Sequence, residues 1–208
     1  MTTRLAMRQM LRRRLGDTGI DPLWDDIFLN DAIDEGLRRY STRFPRQVAT
    51  VIAVTTGDRE LVLPPTINAM RVMQLFDDEG EPWQTWNGAS NFPPSPVGRS
   101  GNELVYRKWA GSLYLDTPAP RTGFWRVEHE ANRVIPTDDV TPMDFAPGDD
   151  DLIIANGLAI ALNRRAINDG KRYTGKSGVH PLAAAARIAQ SDADRLFGNR
   201  LRFIRSST

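Results

Sequence analysis

Leu152 to Leu162, LIIANGLAIAL, is apolar on nearly every side of a helix, and only Asn156 interrupts it. A helix without a polar face must be covered all round. This stretch therefore predicts its own place at the centre of a set of helices. Asp149 to Asp151 supply a cap and favourable charge for a helix start, so the helix is expected from about Asp150 to Asp169. Its second half, with Asn163, Arg164 and Arg165, should emerge from cover. The apolar run is far shorter than the roughly 20 residues that span a bilayer, so no membrane role is expected.

Helices that could supply the cover lie at both ends of the chain. Arg4 to Leu15 reads as about three turns, with Arg4, Arg8 and Arg12 on one side and Met7, Leu11 and Leu15 on the other. After the Gly16 to Pro22 turn comes a second helix. Asp21 with Pro22, or equally Asp25, can start it. Leu29, Ile33, Leu37 and Tyr40, with Ala32 and Gly36, then mark one helical face, and Pro45 stops it. A last helix is expected from Pro181, on a stripe through Ala185, Ala189, Ala193 and Phe197 whose alanines permit close approach. Gly198, which costs about 1 kcal/mol inside a helix relative to alanine, marks a bend or an end. Asn199 to Thr208 is then expected to be a tail.

Between these ends the period changes. Strands are expected at Val48 to Thr55, Glu60 to Leu63, Ala69 to Phe76, Glu103 to Trp109, Ser112 to Asp116 and Gly123 to Glu130. Gly57-Asp58, Asp78-Glu79-Gly80 and Ala110-Gly111 read as turns. Asn87 to Gly101 is rich in Pro, Gly and Ser and reads as a long loop, and Asn132 to Pro147 as an irregular return. The expected fold is α+β: a helical bundle from both chain ends, residues 1–46 plus 147–208, with a β-rich antiparallel insertion at 47–146.

The chain has 208 residues, 40% of them hydrophobic, enough for a real core. It has no cysteine, which excludes disulfides and thiolate metal sites and fits folding in a reducing cytoplasm. The arginine-bearing N-terminus lacks the apolar run of a secretory signal. Net charge is only +1, so no strong overall field gathers nucleic acid. The charge is unevenly placed, however: arginines crowd both ends, while acids cluster at Asp77-Asp78-Glu79, Asp138-Asp139 and Asp149-Asp150-Asp151. That pattern suits charge-complementary contact with copies of the chain or with another protein.

Candidate chemistry is sparse. Gly170 to Ser177, GKRYTGKS, matches the phosphate-binding pattern G-x-x-x-x-G-K-S and gives the alternative reading of a nucleotide-binding enzyme. That chemistry needs a strand before the loop and a helix opening at the lysine. Here the preceding segment reads as helix, and Gly178 and Pro181 interrupt any helix begun at Lys176. His129 and His180 lack metal-ligand spacing, and His129 reads as a surface residue in an alternating strand. The acidic clusters read as helix caps and turns. Arg12 to Arg14 on a basic helix give a second alternative, a DNA-binding module, against which the acids of the second helix offer countercharges. No nucleophile, base and acid set can be named, and no cofactor or metal is expected.

The arginine-rich helix, the Gly/Asp turn, the Trp24 to Asp26 helix start, and Ala32-Ile33-Asp34 running on to Phe44-Pro45 together resemble the head-tail adaptor, or head-completion, proteins of tailed double-stranded DNA phages. The resemblance implies a structural virion protein and not an enzyme. It implies a ring of copies under the portal, commonly matching its twelve subunits, that continues the DNA channel to a downstream tail or nozzle protein without sequence-specific DNA binding. The neck of a virion assembled in the host cytoplasm would be its location. Within that reading, the C-terminal segment is expected to insert into the portal or a neighbouring subunit, with Leu201, Phe203 and Ile204 as apolar anchors and Arg200, Arg202 and Arg205 as charged contacts. The resemblance assigns no role to the β-rich region.

Overall fold

The computed structural model describes residues 2–86, 104–170 and 180–206, with side chains in the last helix described as far as Leu201. The fold is mixed α+β and divides into two compact units. One comprises Met1–Phe44 and Asn132–Thr208, the other Pro45–Ala131.

The first unit is built on α1 (Arg4–Leu15), α2 (Asp26–Arg43), α3 (Asp150–Gly170) and α4 (Pro181–Ser206). α1, α2 and α4 all pack on α3. Ile153, Ile154 and Ala161 of α3 are wholly removed from solvent. Asn156, the polar interruption, is buried too, and its amide donates within the helix to the Leu152 carbonyl one turn back at 3.0 Å.

Local chemistry sets the ends of the first two helices. Gly16 adopts φ 70° and closes α1 in the left-handed conformation that glycine tolerates. Asp17, buried in the turn, accepts from the Leu23 and Trp24 amides at 2.7 and 3.2 Å. Of the two candidate caps for α2 it is Asp25 that serves, accepting from the Ile27 amide at 2.7 Å.

α2 and α3 meet backbone to backbone. A Cβ on Gly36 would lie 2.9 Å from the Ile153 carbonyl oxygen, and Gly157 faces the Ala32 carbonyl in the same crossing. The irregular stretch after Ala131, which its sequence assigns to the insertion, packs with these helices instead. Met143 is in their core, with Ile135 and Phe145 against it. Arg133 donates from its amide to Ser41 and from its guanidinium to the Phe44 carbonyl. The end expected at Gly198 is also corrected, because α4 runs through it to Ser206. The cost of glycine there is small beside the contacts that hold the helix on either side of it, buried Phe197 and the Arg200–Asp149 ion pair.

The second unit is one seven-stranded sheet made of β1 (Arg46–Val54), β2 (Glu60–Val62), β3 (Val72–Phe76), β4 (Pro82–Thr85), β5 (Val105–Trp109), β6 (Ser112–Leu115) and β7 (Gly123–Ala131). The strand order is β1-β7-β3-β4-β5-β6-β2. β1 and β7 pair antiparallel along their whole length, from Arg46 opposite Ala131 to Val54 opposite Gly123. Trp83, Trp125, Tyr106, Leu113 and Leu75 form the buried centre, with the two indole rings 5.0 Å apart.

Three details depart from expectation. β4 is a strand that the residue pattern does not announce, Ala69–Arg71 is a 3-10 turn leading into β3, and β4 pairs parallel with β5, so the sheet is not purely antiparallel. The connection from β4 to β5, residues 86–104, is long enough to permit the parallel pair. A tight hairpin can join only antiparallel neighbours, whereas parallel strands need a connection of a dozen residues or more. The expected loop from Asn87 to Gly101 lies outside the described residues. Between β5 and β6, Ala110 and Gly111 both take positive φ, 46° and 87°, the two-residue turn that matches strand twist.

In equilibrium unfolding by urea, Gly36→Ala should destabilise the chain by about 1–3 kcal/mol, because the methyl meets immovable backbone. Gly198→Ala, with open space around it, should instead stabilise it by up to about 1 kcal/mol. The same measurement on Ala110→Asn should show stability raised by up to about 1 kcal/mol, since asparagine adopts the left-handed conformation at lower cost than alanine.

Candidate functional site

The arginines of α1 have partners within the chain. Arg4 grips Asp34 with two hydrogen bonds of 2.7 and 2.9 Å. Arg8 reaches the Asn30 amide oxygen at 3.0 Å and both carboxylate oxygens of Asp139 at 3.1 and 2.7 Å. Arg12 bonds Asp17 at 2.6 Å and the Trp24 carbonyl at 2.8 Å, and it pairs with Asp26 as well. Arg14 pairs with Asp151 at 2.6 Å.

Arg4 and Arg8 are buried, so these pairs are screened far less than surface ones. The Arg12 hydrogen bond holds the Asp26 carboxyl below its usual range. Burial pushes Asp34 the other way despite Arg4. Two of the acidic clusters whose pattern suits intermolecular contact thus supply internal countercharges for the basic helix; Arg4, Arg8, Arg12 and Arg14 meet carboxylates, while Arg13 is exposed and donates to the Gln9 carbonyl.

At the other end of the chain the aromatic and ionic contacts converge on one buried carboxylate. Tyr40 is fully buried at the end of the α2 stripe, and its hydroxyl donates to Asp149 Oδ2 at 2.7 Å. Arg200 pairs with Asp149 at 3.0 Å. The Ala146 amide donates back to the Tyr40 hydroxyl at 3.2 Å. Phe197, one turn before Arg200, stacks on Phe44 with centroids 5.7 Å apart, and the Arg43 guanidinium lies 4.6 Å from its ring centre.

The C-terminal segment therefore begins at an anchored point. Of the expected contact residues, Arg200 is engaged within the chain and Leu201 is half-buried. Arg202, Phe203, Ile204 and Arg205 continue the helix backbone, and their side chains lie outside the described residues. Sequence reasoning does not single out Tyr40, Asp149 and Asp17 as organising groups. The available signal is a tyrosine on a buried stripe, whose hydroxyl requires a partner.

Among the described residues the remaining candidates bring together no assembled chemistry. The element before the GKRYTGKS pattern is α3, a helix and not a strand, and the pattern beyond Gly170 lies outside the described residues. His129, expected at the surface, is buried, with its Nε2 3.0 Å from the Thr50 hydroxyl. The strand alternates as expected, but that face of β7 is the covered one. A groove of about 490 Å³ between α2, α3 and α4 is lined by Glu35, Arg39, Asn163, Arg164, Arg187 and Gln190, without histidine or serine. Among the described residues no helix is long and apolar enough to cross a membrane.

Burial, reinforced by the hydrogen bond to the Asp149 carboxylate, pushes the Tyr40 phenol up to about 12 from an ordinary value near 10. The folded state thus holds the proton more tightly than the unfolded chain. Its contribution is complete below pH 10 and is lost as pH rises toward 12. Tyr40→Phe should cost about 1.5–3 kcal/mol at neutral pH, and the wild-type advantage over this variant in urea unfolding should shrink across that alkaline window.

Compared with models of known families, residues 2–206 match the one described as SU10 adaptor protein. No curated protein matches the chain. With nearly its whole length accounted for, and in keeping with a phage head-tail adaptor, the chain belongs to the SU10 adaptor protein family.

Proposed function

We propose that the protein is a head-tail adaptor of the virion neck. Copies form a ring under the portal, matched to its twelve subunits, and carry the DNA channel on to a downstream tail or nozzle protein. Assembly takes place in the host cytoplasm, and DNA passes without sequence-specific contact. The observation that carries this reading is the family match over residues 2–206.

The use of charge supports it. The cations that a DNA-binding module would direct outward, Arg4, Arg8 and Arg12, are paired within the chain, and the nucleotide-binding alternative has a helix where it needs a strand. In this reading the helices from both chain ends form a bundle that carries the β unit as an insertion.

The portal contact is assigned to the end of α4. Arg200 and Asp149 fix its base, and Leu201, Arg202, Phe203, Ile204 and Arg205 stand on helix beyond that point. Arg200 acts as the positioning residue, and the four residues after Leu201 act as the docking segment. A segment already helical loses less conformational entropy on docking than a loose tail would.

Removing Arg202 to Thr208 while keeping Arg200 should leave the unfolding transition within about 1 kcal/mol of wild type and abolish co-sedimentation with the cognate portal. Undiminished portal binding by that truncation would refute the assignment.

A further inference from the structure

The turn into α2 leaves an acidic and apolar surface in water. Ile20, Leu23 and Ile27, three large apolar side chains within eight residues, are 100%, 63% and 71% exposed. Asp21 and Asp25 stand exposed among them. Asp25 caps α2, and neither carboxylate pairs with a cation among the described residues. The turn is held from behind, because buried Asp17 takes the Leu23 and Trp24 amides. Its shape is therefore set before any partner arrives.

The groove between α2, α3 and α4 has the complementary character. Ala159 and Ile160 of α3 and Ala186 of α4 are buried along it, and the two alanines leave open a furrow that larger side chains would fill. Its rim carries Arg39, Arg164 and Arg187 against one acid, Glu35. Within the chain Glu35 lies 3.6 Å from Arg39 and Asp31 lies 4.0 Å from Arg164. Arg187 is exposed and unpaired among the described residues. The groove keeps an excess of positive charge.

We infer that the groove of one copy receives residues 19–27 of the next, with Ile20 and Leu23 against Ile160 and its flanking alanines and Asp21 among the arginines. The inference rests on the ring reading above and names the contact that builds the ring. Charge selects the occupant: the groove favours an acidic segment with apolar side chains and repels a basic one such as the end of α4. Every copy carries both halves in its helical unit. The groove opens at Glu35, about two turns beyond Ile27 along α2, so segment and groove are different surfaces. Such a contact is head-to-tail, the kind that repeats around a closed ring.

The test uses the full chain, free and with the cognate portal. Asp21→Arg makes the segment repel the groove, and the pair Arg164→Glu with Arg187→Glu makes the groove repel the segment. In sedimentation each variant alone should need about tenfold more protein, or more, to form rings. An equimolar mixture should recover, because the basic segment then meets the acidic groove and the native segment meets the native groove. Copies would alternate, as a ring of twelve permits, and mixing does not repair two misfolded chains. Unchanged assembly by either variant alone, or a mixture that fails to recover, overturns the inference. So do Asp21→Arg rings that form normally but lose portal, which would make portal the occupant.

The chain has no cysteine, so introduced ones report geometry without altering the charge of the segment. Oxidised assemblies of Ile20→Cys mixed with Arg187→Cys should contain a disulfide between positions 20 and 187 of different copies. Linking within either variant alone, or none in the mixture, overturns the contact. If the unsubstituted chain forms no ring even on portal, the ring reading fails and the inference with it, an outcome distinct from rings indifferent to these charges.

Discussion

Burial of α3 is the constraint on which the helical unit depends. Leu152 to Gly157 are buried on every side, so other segments must enclose this part of α3, and α1, α2 and α4 meet that demand in different ways. α2 comes closest, because Gly36 and Gly157 let the two backbones approach where side chains would hold them apart. α4 brings alanines and Phe197. α1 contributes Met7 and Leu11 on one side and its arginines on the other. The start of α3 carries Asp149, the carboxylate that Tyr40 and Arg200 share, so the helix that must be covered also fixes one of the helices that cover it.

The ion pairs of α1 are of a different kind from the pairs scattered over the surface. Exposed pairs contribute little, about 0–1 kcal/mol. Arg4 is buried, so removing Asp34 would leave its charge without its carboxylate, which is the costly case, whereas buried Arg8 has both Asp139 and Asp26. The bidentate fork of Arg8 on Asp139 fixes direction as well as distance, whereas Arg4 reaches both Asp34 oxygens from one nitrogen. These pairs make the packing of α1 specific in a way that Met7 and Leu11, which tolerate a range of neighbours, could not.

Much of this is legible in the residues, because the strongest signals are periodic. The α2 stripe, the start of α3 at its aspartates, and the strands β1, β5, β6 and β7 all sit within a few residues of where pattern and turn chemistry place them. What is not legible is mostly long-range. Nothing local in Asp139 says that it meets Arg8, which lies far away in sequence, and nothing in Pro82-Trp83-Gln84-Thr85 announces a strand, because proline opens it and one of its two partners, β5, comes only after residues 86–104. Gly198 misleads for the opposite reason: its local propensity is real, and the contacts of Phe197 and Arg200 outweigh it. The resemblance rests on residues 4–45, whereas the family match covers 2–206 and so takes in the β-rich region that those N-terminal residues leave unassigned.

The chain leaves the helical unit after Phe44 and returns at Asn132. On the sheet side, Arg46 and Ala131 are ladder partners; on the helical side, Arg133 bonds to the Phe44 carbonyl. The doorway through which the chain departs and comes back is thus held shut from both sides. For the helices, everything between those residues behaves as a short stitch, because the ends are brought together by the sheet's own pairing and the entropy of closing a long loop is not charged to the helical core. A region attached in this way can lengthen, shorten or be exchanged over evolutionary time while the helices keep their packing, which makes the β unit a replaceable cassette on a fixed frame.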